Sequence, residues 1–475
     1  MEKILKEFAA LNLIPRKSKH EKAVAEYLAK RGEALGYRSF RDAANNVIIE
    51  VPATPGCETA PFGIVQAHSD MVCVSEDPAY DPLTSPIVTV NDGKTLRAQN
   101  SSLGADDGIG VAMILALLDS DAPHGPLRVI FTADEESGMS GALGLAEQYT
   151  QGDYLINIDW EEEGSVCVSC AGSLTVIYKK QCELHPMEGA GYEITLRGLR
   201  GGHSGVEIVE HRPNAIAIVG RFLYQLIHEK IGFSLVAIQG GRAHNVICPD
   251  ATVKLVVEVS QKEQFAQCFQ NAVTDFEQEF ADTEKDFYFL CKEMKEYTQG
   301  FSIEDSANIA SFLGQCPQGV ASMSQEIEGL VELSDNLGVI STDENGVTLE
   351  VLYRASESKA MHGLAKRTAE LAADCGWVSI VDSENPSWPP KLPSPILDIA
   401  KEVYFRQSGR EIRVELIHAG LECGYFAEKN PGLDIISLGP TITDAHSVRE
   451  TLHVDTLKPT MDLFLGILGA LISQN

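Results

Sequence analysis

Positive charge is scarce in this chain. Its 475 residues hold 38 Lys and Arg against 68 Asp and Glu, a net charge of −30 at pH 7. A phosphate backbone would be repelled, so no nucleic-acid partner is expected. No apolar run reaches membrane-spanning length. The opening Met1-Glu2-Lys3-Ile4-Leu5-Lys6-Glu7 is charged and amphipathic, unlike a secretory leader. A cytoplasmic location without membrane association is therefore expected. Short-period repeats and low-complexity segments are also missing. Cys167 and Cys170 form one Cys-x-x-Cys with no second pair, which argues against a four-sulfur zinc site. Their context reads as strand and turn, whereas a redox pair opens a helix. The 11 cysteines are odd in number and mostly sit inside apolar runs, as buried free thiols do.

The length calls for more than one core. Short apolar strands alternate with helices in the first part, including a helix over 20–36 and the almost wholly apolar Gly108 to Leu118. Such alternation predicts an α/β fold with a mainly parallel sheet. The character changes near Gln181 to Gly191. Half-buried antiparallel strands and helices follow, predicting an inserted α+β unit of ferredoxin-like type. The proline-rich 386–393 closes it, and α/β character resumes with a helix over 395–408 and a strand over 434–438. The expected division is a catalytic domain in two parts, 1–181 and 385–475, interrupted by a lid domain, 182–384.

Three apolar runs end in residue types that ligate metals. Phe62 to Ala67 leads into His68-Ser69-Asp70, Leu127 to Thr132 leads towards Glu135-Glu136, and Tyr154 to Ile158 ends at Asp159. Ligands at the carboxyl ends of buried parallel strands are where open α/β sheets place their sites. Asp106 lies in the glycine-rich Leu103 to Gly108, and His446 lies past the 434–438 strand. His68, Asp106, Glu136, Asp159 and His446 make a ligand set for two metal ions, which need imidazoles, carboxylates and a bridging group. The loop glycines are expected to let the backbone approach a metal. Asp70 is placed to orient the His68 ring. Glu135 is placed to take a proton from water.

These segments together resemble the co-catalytic zinc exopeptidases, which include aminoacylases, carboxypeptidase G, tripeptidase T and the carnosinase-type dipeptidases. The resemblance is greatest to bacterial aminoacyl-histidine (Xaa-His) dipeptidases. It runs nearly end to end through AHSDMV at 67–72, LGADDGIG at 103–110, DEESGMSGA at 134–142 and LINIDWEEEG at 155–164. It continues through GGHSG at 201–205, HAGLECG at 418–424 and GPTITDAHS at 439–447. It implies a dipeptide substrate, two Zn²⁺ per chain with Co²⁺ or Mn²⁺ as substitutes, and a homodimer through the lid. By it, His68 and His446 are terminal ligands, Asp106 the bridge and Glu135 the general base. His203 would stabilise the oxyanion, reaching a neighbouring subunit's site in dimeric relatives. Asn245 and Arg354 would hold the substrate carboxylate. Glu422 is expected to meet the substrate amine. Asp107 departs from the dipeptidase pattern, which has Asn there. The alternatives are an N-acyl amino acid deacylase and a metal-dependent peptide binder without turnover.

Overall fold

The computed structural model describes residues 1–294, 299–325, 327 and 329–472. The chain forms two compact units. One comprises Met1–Cys170, Trp388–Leu416 and Leu421 onward; the other comprises Ala171–Ser387 with Ile417–Gly420.

The first unit is built on an eight-stranded sheet. Its order is Arg38–Arg41, Val47–Val51, Leu127–Thr132, Gly63–His68, Tyr154–Asn157, Asp434–Ser437, Ser165–Cys170 and Arg413–Ile417. The middle four strands are mutually parallel. Val47–Val51 pairs antiparallel on one side and Ser165–Cys170 on the other. The sheet is thus mixed, with its four central strands parallel and antiparallel strands on both sides of them. Every residue of Gly63–His68, Tyr154–Asn157 and Asp434–Ser437 is buried, which is why these strands read as continuous apolar runs. The helix Ala105–Leu118 is buried at every position except Asp106. It packs between Gly63–His68 and the helix Glu2–Leu11, so its N-terminal turn stays at the carboxyl ends of the parallel strands.

The second unit carries a nine-stranded sheet, antiparallel in every pairing described. Its helices include Ala215–His228, Lys262–Glu279, Ile303–Gln315 and Ser358–Asp374. Phe222 anchors its core, meeting Phe265, Phe269 and Phe289 edge-on. The strand Gly172–Gln181 belongs here, between Gly346–Ala355 and Val378–Asn385. The unit therefore starts about ten residues before the boundary expected near 181. That strand is buried along most of its length, so its apolar pattern gives no sign of which sheet it joins.

Candidate functional site

The carboxyl ends of the central strands converge. Gly63–His68 delivers His68 and, two residues on, Asp70. Leu127–Thr132 leads to Asp134, Glu135 and Glu136, Tyr154–Asn157 leads to Asp159, and Asp434–Ser437 leads through a long loop to His446. His446 has φ +59° and Asp134 has φ +59°, a conformation that non-glycine residues rarely adopt and that concentrates at functional sites.

Asp106 sits at the centre. Its Oδ1 lies 2.9 Å from His68 Nε2, and its Oδ2 lies 2.9 Å from His446 Nε2. Asp159 Oδ1 is 3.4 Å from the same His68 nitrogen, and Glu136 Oε2 is 2.9 Å from the same His446 nitrogen. Three triads lie close enough to hold a metal ion, His68–Glu135–Glu136, His68–Asp106–Asp159 and Asp106–Glu136–His446, and the last two meet at Asp106. Its carboxylate turns one oxygen to each side. All five residues expected as ligands are thus brought together.

Asp70 stands behind His68. Its Oδ1 is 3.5 Å from His68 Nδ1, and its oxygens accept from Ser18 Oγ at 2.7 Å, Glu135 N at 3.0 Å and Glu136 N at 3.2 Å. One carboxylate therefore faces the imidazole while it accepts from the segment bearing the paired glutamates. Asp107 does the same from the helix: its Oδ2 accepts from His68 N and its Oδ1 from Gly110 N, both at 3.1 Å. Both oxygens accept, a task an Asn amide could fill only on one side.

The charge balance tests whether metal ions fit. Burial raises the Glu135 carboxyl well above its usual range and pushes Asp159 up to about 6. Burial and then the charge of Asp106 push Glu136 up to about 7. Partial desolvation opposes charge on the half-exposed His446, yet the hydrogen bonds to Asp106 and Glu136 lift it to about 11. Asp106 goes the other way: despite burial, the two imidazoles hold it below the ordinary carboxylate range. Glu136 Oε1 is buried without a hydrogen-bond partner among the described residues. Crowded buried carboxylates, two imidazoles and an orphaned carboxylate oxygen are what a cation pair would satisfy, so the donor set fits divalent metal.

The residues expected on the inserted unit gather at one end of it. Gly202–His203 pairs with Val246–Ile247, which sets His203 beside Asn245. His203 Nδ1 accepts from Gly205 N and Val206 N at 3.2 Å each, which leaves the proton on Nε2. Asn336 donates to the carbonyls of His244 and Val246 at 2.8 and 2.9 Å. Asn336 lies on the strand Val331–Asp343, where Ser334, two residues earlier, sits opposite Arg354. Ser334 Oγ is also 2.7 Å from His418 Nε2. Burial, followed by the charge of Arg354, pushes His418 down to about 3, so its ring is neutral.

Two expectations are corrected. Glu422 has no exposed surface, so in this structure it offers nothing to a substrate amine. Its Oε2 accepts from Gln66 Nε2 at 2.8 Å and Thr132 Oγ1 at 2.5 Å beneath the strand ends. The glycines of the Asp106 loop also serve another purpose. A Cβ at Gly104 or Gly108 would fall 2.5 or 2.6 Å from Nη2 of Arg16, so they make room for a buried guanidinium. Arg16, Ser18, His418 and Glu450, which bonds the Asp106 loop, escape sequence reasoning because each is a lone polar residue without diagnostic spacing.

Residues 64–470 match the model of peptidase family M20/M25/M40. The chain is 33% identical over 455 residues to the cytosol non-specific dipeptidase of Escherichia coli K12, covering 95% of this chain and 93% of that protein. The structure of an aminoacylhistidine dipeptidase from Vibrio alginolyticus superposes with a TM-score of 0.86 at 36% identity, covering 98% of this chain and 96% of that one. An aminopeptidase of Bacillus cereus ATCC 10987 shares the fold, with a TM-score of 0.57 at 16% identity over 100% of this chain and 99% of that one.

Proposed function

This chain belongs to peptidase family M20/M25/M40, and from that membership we propose that it is a dinuclear metal-dependent dipeptidase. Xaa-His dipeptides are among its substrates, in line with the aminoacylhistidine and non-specific dipeptidases it resembles. The observation that carries the reading is the sharing of Asp106 between two imidazoles at 2.9 Å each.

His68, Asp159 and Asp106 would hold one cation, and His446, Glu136 and Asp106 the other. Two divalent cations held there, Zn²⁺ with Co²⁺ or Mn²⁺ as substitutes, would supply Lewis-acid polarisation of the scissile carbonyl and would make water more acidic. Glu135 takes the proton of the attacking water and returns it to the leaving amine. Asp70 keeps the His68 ring in one orientation. On the inserted unit, His203 offers its Nε2–H to the developing oxyanion. Arg354 and Asn245 bind the C-terminal carboxylate, for which a guanidinium fork is suited.

The inserted unit also supports a homodimer. All of the edge strand Val378–Asn385 except Asn385 is exposed, an unpaired ladder suited to a second copy. A cytosolic location accords with the name of the Escherichia coli relative.

The deciding experiment is a panel of Xaa-His and other dipeptides, with N-acetyl amino acids, assayed on metal-stripped and zinc-loaded protein. Metal-dependent cleavage of dipeptides is expected. Faster cleavage of N-acetyl amino acids would make the chain a deacylase, and dipeptide binding without turnover would make it a receptor.

A further inference from the structure

Glu450 lies four residues beyond His446 and is 2% exposed. Its Oε2 accepts from the backbone N–H groups of Leu103 at 2.7 Å and Gly104 at 2.9 Å. Its Oε1 accepts from Ala105 N at 2.7 Å and Asp106 N at 3.3 Å. A single carboxylate thus takes four successive N–H groups of the loop that carries Asp106. From another position Arg16, 1% exposed, donates from Nη2 to Gly104 O at 2.6 Å and from Nη1 to Asp70 O at 3.2 Å. The loop is bound through its N–H groups by an anion and through a carbonyl by a cation. The glycines at 104 and 108 leave the space this needs.

Chemistry restricts the residue at 450. A carboxylate presents about four lone-pair sites, matching four donors. A Gln amide would offer one oxygen and set its NH₂ against two N–H groups, leaving buried donors unsatisfied. A buried carboxylate close to a cluster that is already acidic is costly. Arg16 and the backbone donors offset that cost.

Asp106 and His446 are 340 residues apart in the chain. Glu450 joins the segment after His446 directly to the loop bearing Asp106. We propose that Glu450, opposed by Arg16, is a positioning residue that locks these two segments together, so that Asp106 faces both imidazoles before any metal arrives. This rests on the reading of Asp106 as the bridge between two cations. Without the lock, repulsion among the site carboxylates would swing Asp106 away, and the second cation would have to close the loop itself.

The test compares Glu450→Gln with Asp434→Asn. Asp434 is a buried carboxylate of the same unit that accepts from Ser394 Oγ at 2.6 Å and Ile396 N at 3.1 Å, in another loop. Zinc titration by calorimetry and the absorption spectrum of the Co²⁺ form are the readouts. Glu450→Gln should bind the second cation about 10–100-fold more weakly, the range for residues that orient ligands, with an altered Co²⁺ spectrum. Asp434→Asn should lower Tm while leaving affinities and spectrum unchanged. Wild-type affinities and spectrum in Glu450→Gln, or equal weakening in Asp434→Asn, would overturn the proposal. Amide exchange of the metal-free wild type needs no variant. The amides of residues 103–106 should be protected before metal is added, and protection that appears only with metal would equally overturn it. Absence of metal uptake by wild type would instead sink the bridging reading itself.

Discussion

Glu135 shows how far a single residue can be read from position. It follows an apolar run, its neighbour Glu136 joins the His446 triad, and its own backbone N–H is held by Asp70. Glu135→Gln keeps size and removes the base. Its kcat should fall about 10²–10⁴-fold while zinc content stays at the wild-type value; near-normal turnover would remove Glu135 from the mechanism. Asp335, in the inserted unit, carries a pH effect. Burial pushes its carboxyl up to about 7 against the opposing N–H groups of Asp335 and Gly319, and its Oδ2 has no hydrogen-bond partner among the described residues. The folded-state pKa is above the unfolded value of about 4, so between these values the folded state holds the extra proton. Stability from this group is complete below about pH 4 and declines as pH rises towards 7. Asp335→Asn should lose less stability than wild type between pH 5 and 8, measured as the difference in urea midpoints. An unchanged difference would show that Asp335 is not the titrating group.

Among elements, the helix Ala105–Leu118 has the tightest constraints. A Cβ at Gly110 would fall 2.2 Å from Asp107 Oδ1 and 2.3 Å from Ile158 O. Neither can retreat easily, since one belongs to a carboxylate whose two oxygens accept from Gly110 N and His68 N and the other is backbone. Gly110→Ala should destabilise by about 1–3 kcal/mol, the cost of overpacking, seen as a lower urea midpoint. Gly469→Ala meets nothing within 4 Å and lies in the helix Leu457–Ile472, so it should be neutral or slightly stabilising. Equal effects would mean that Gly110 is not packed as described. Most elements near the site follow the sequence pattern closely: 434–438 was expected as a strand and Asp434–Ser437 is one. Fully buried strands and an all-apolar helix leave strong signals. Gly172–Gln181 left a signal too, but strand propensity carries no address, and its partners lie more than 160 residues downstream.

For the whole molecule, the long insertion 171–387 leaves and rejoins the first unit at neighbouring points. Cys170 and Trp388 exchange both backbone hydrogen bonds at 3.0 Å. Replacing 171–387 by a short linker between them should leave a unit that folds and binds zinc. It should be nearly inactive, because His203 and Arg354 are gone; loss of an oxyanion donor alone typically costs about 10²–10³ in kcat. Good dipeptide turnover by this shortened chain would disprove the role given to the inserted unit. Self-association belongs to the same scale. Val378, Ile380 and Val381 are 64%, 46% and 62% exposed on the open edge strand. Sedimentation should show a dimer for wild type and a monomer for the Ile380→Lys, Val381→Lys double variant. A wild-type monomer, or a variant that still pairs, would rule this edge out.

Residue type and order alone marked the candidate residues: histidines and carboxylates after buried strands, and the glutamate pair Glu135-Glu136 after an apolar run. These signals are local, because a buried parallel strand is apolar along its length and its active residue follows at its end. Tertiary structure alone decided which oxygen of Asp106 faces which imidazole. It also buried Glu422 against Gln66 and Thr132 and set Gly104 and Gly108 against Arg16. Only the folded chain brings Glu450 onto the Asp106 loop. Such arrangements depend on packing between segments hundreds of residues apart. There the cost of burying a charge is met by partners that no spacing in the chain records.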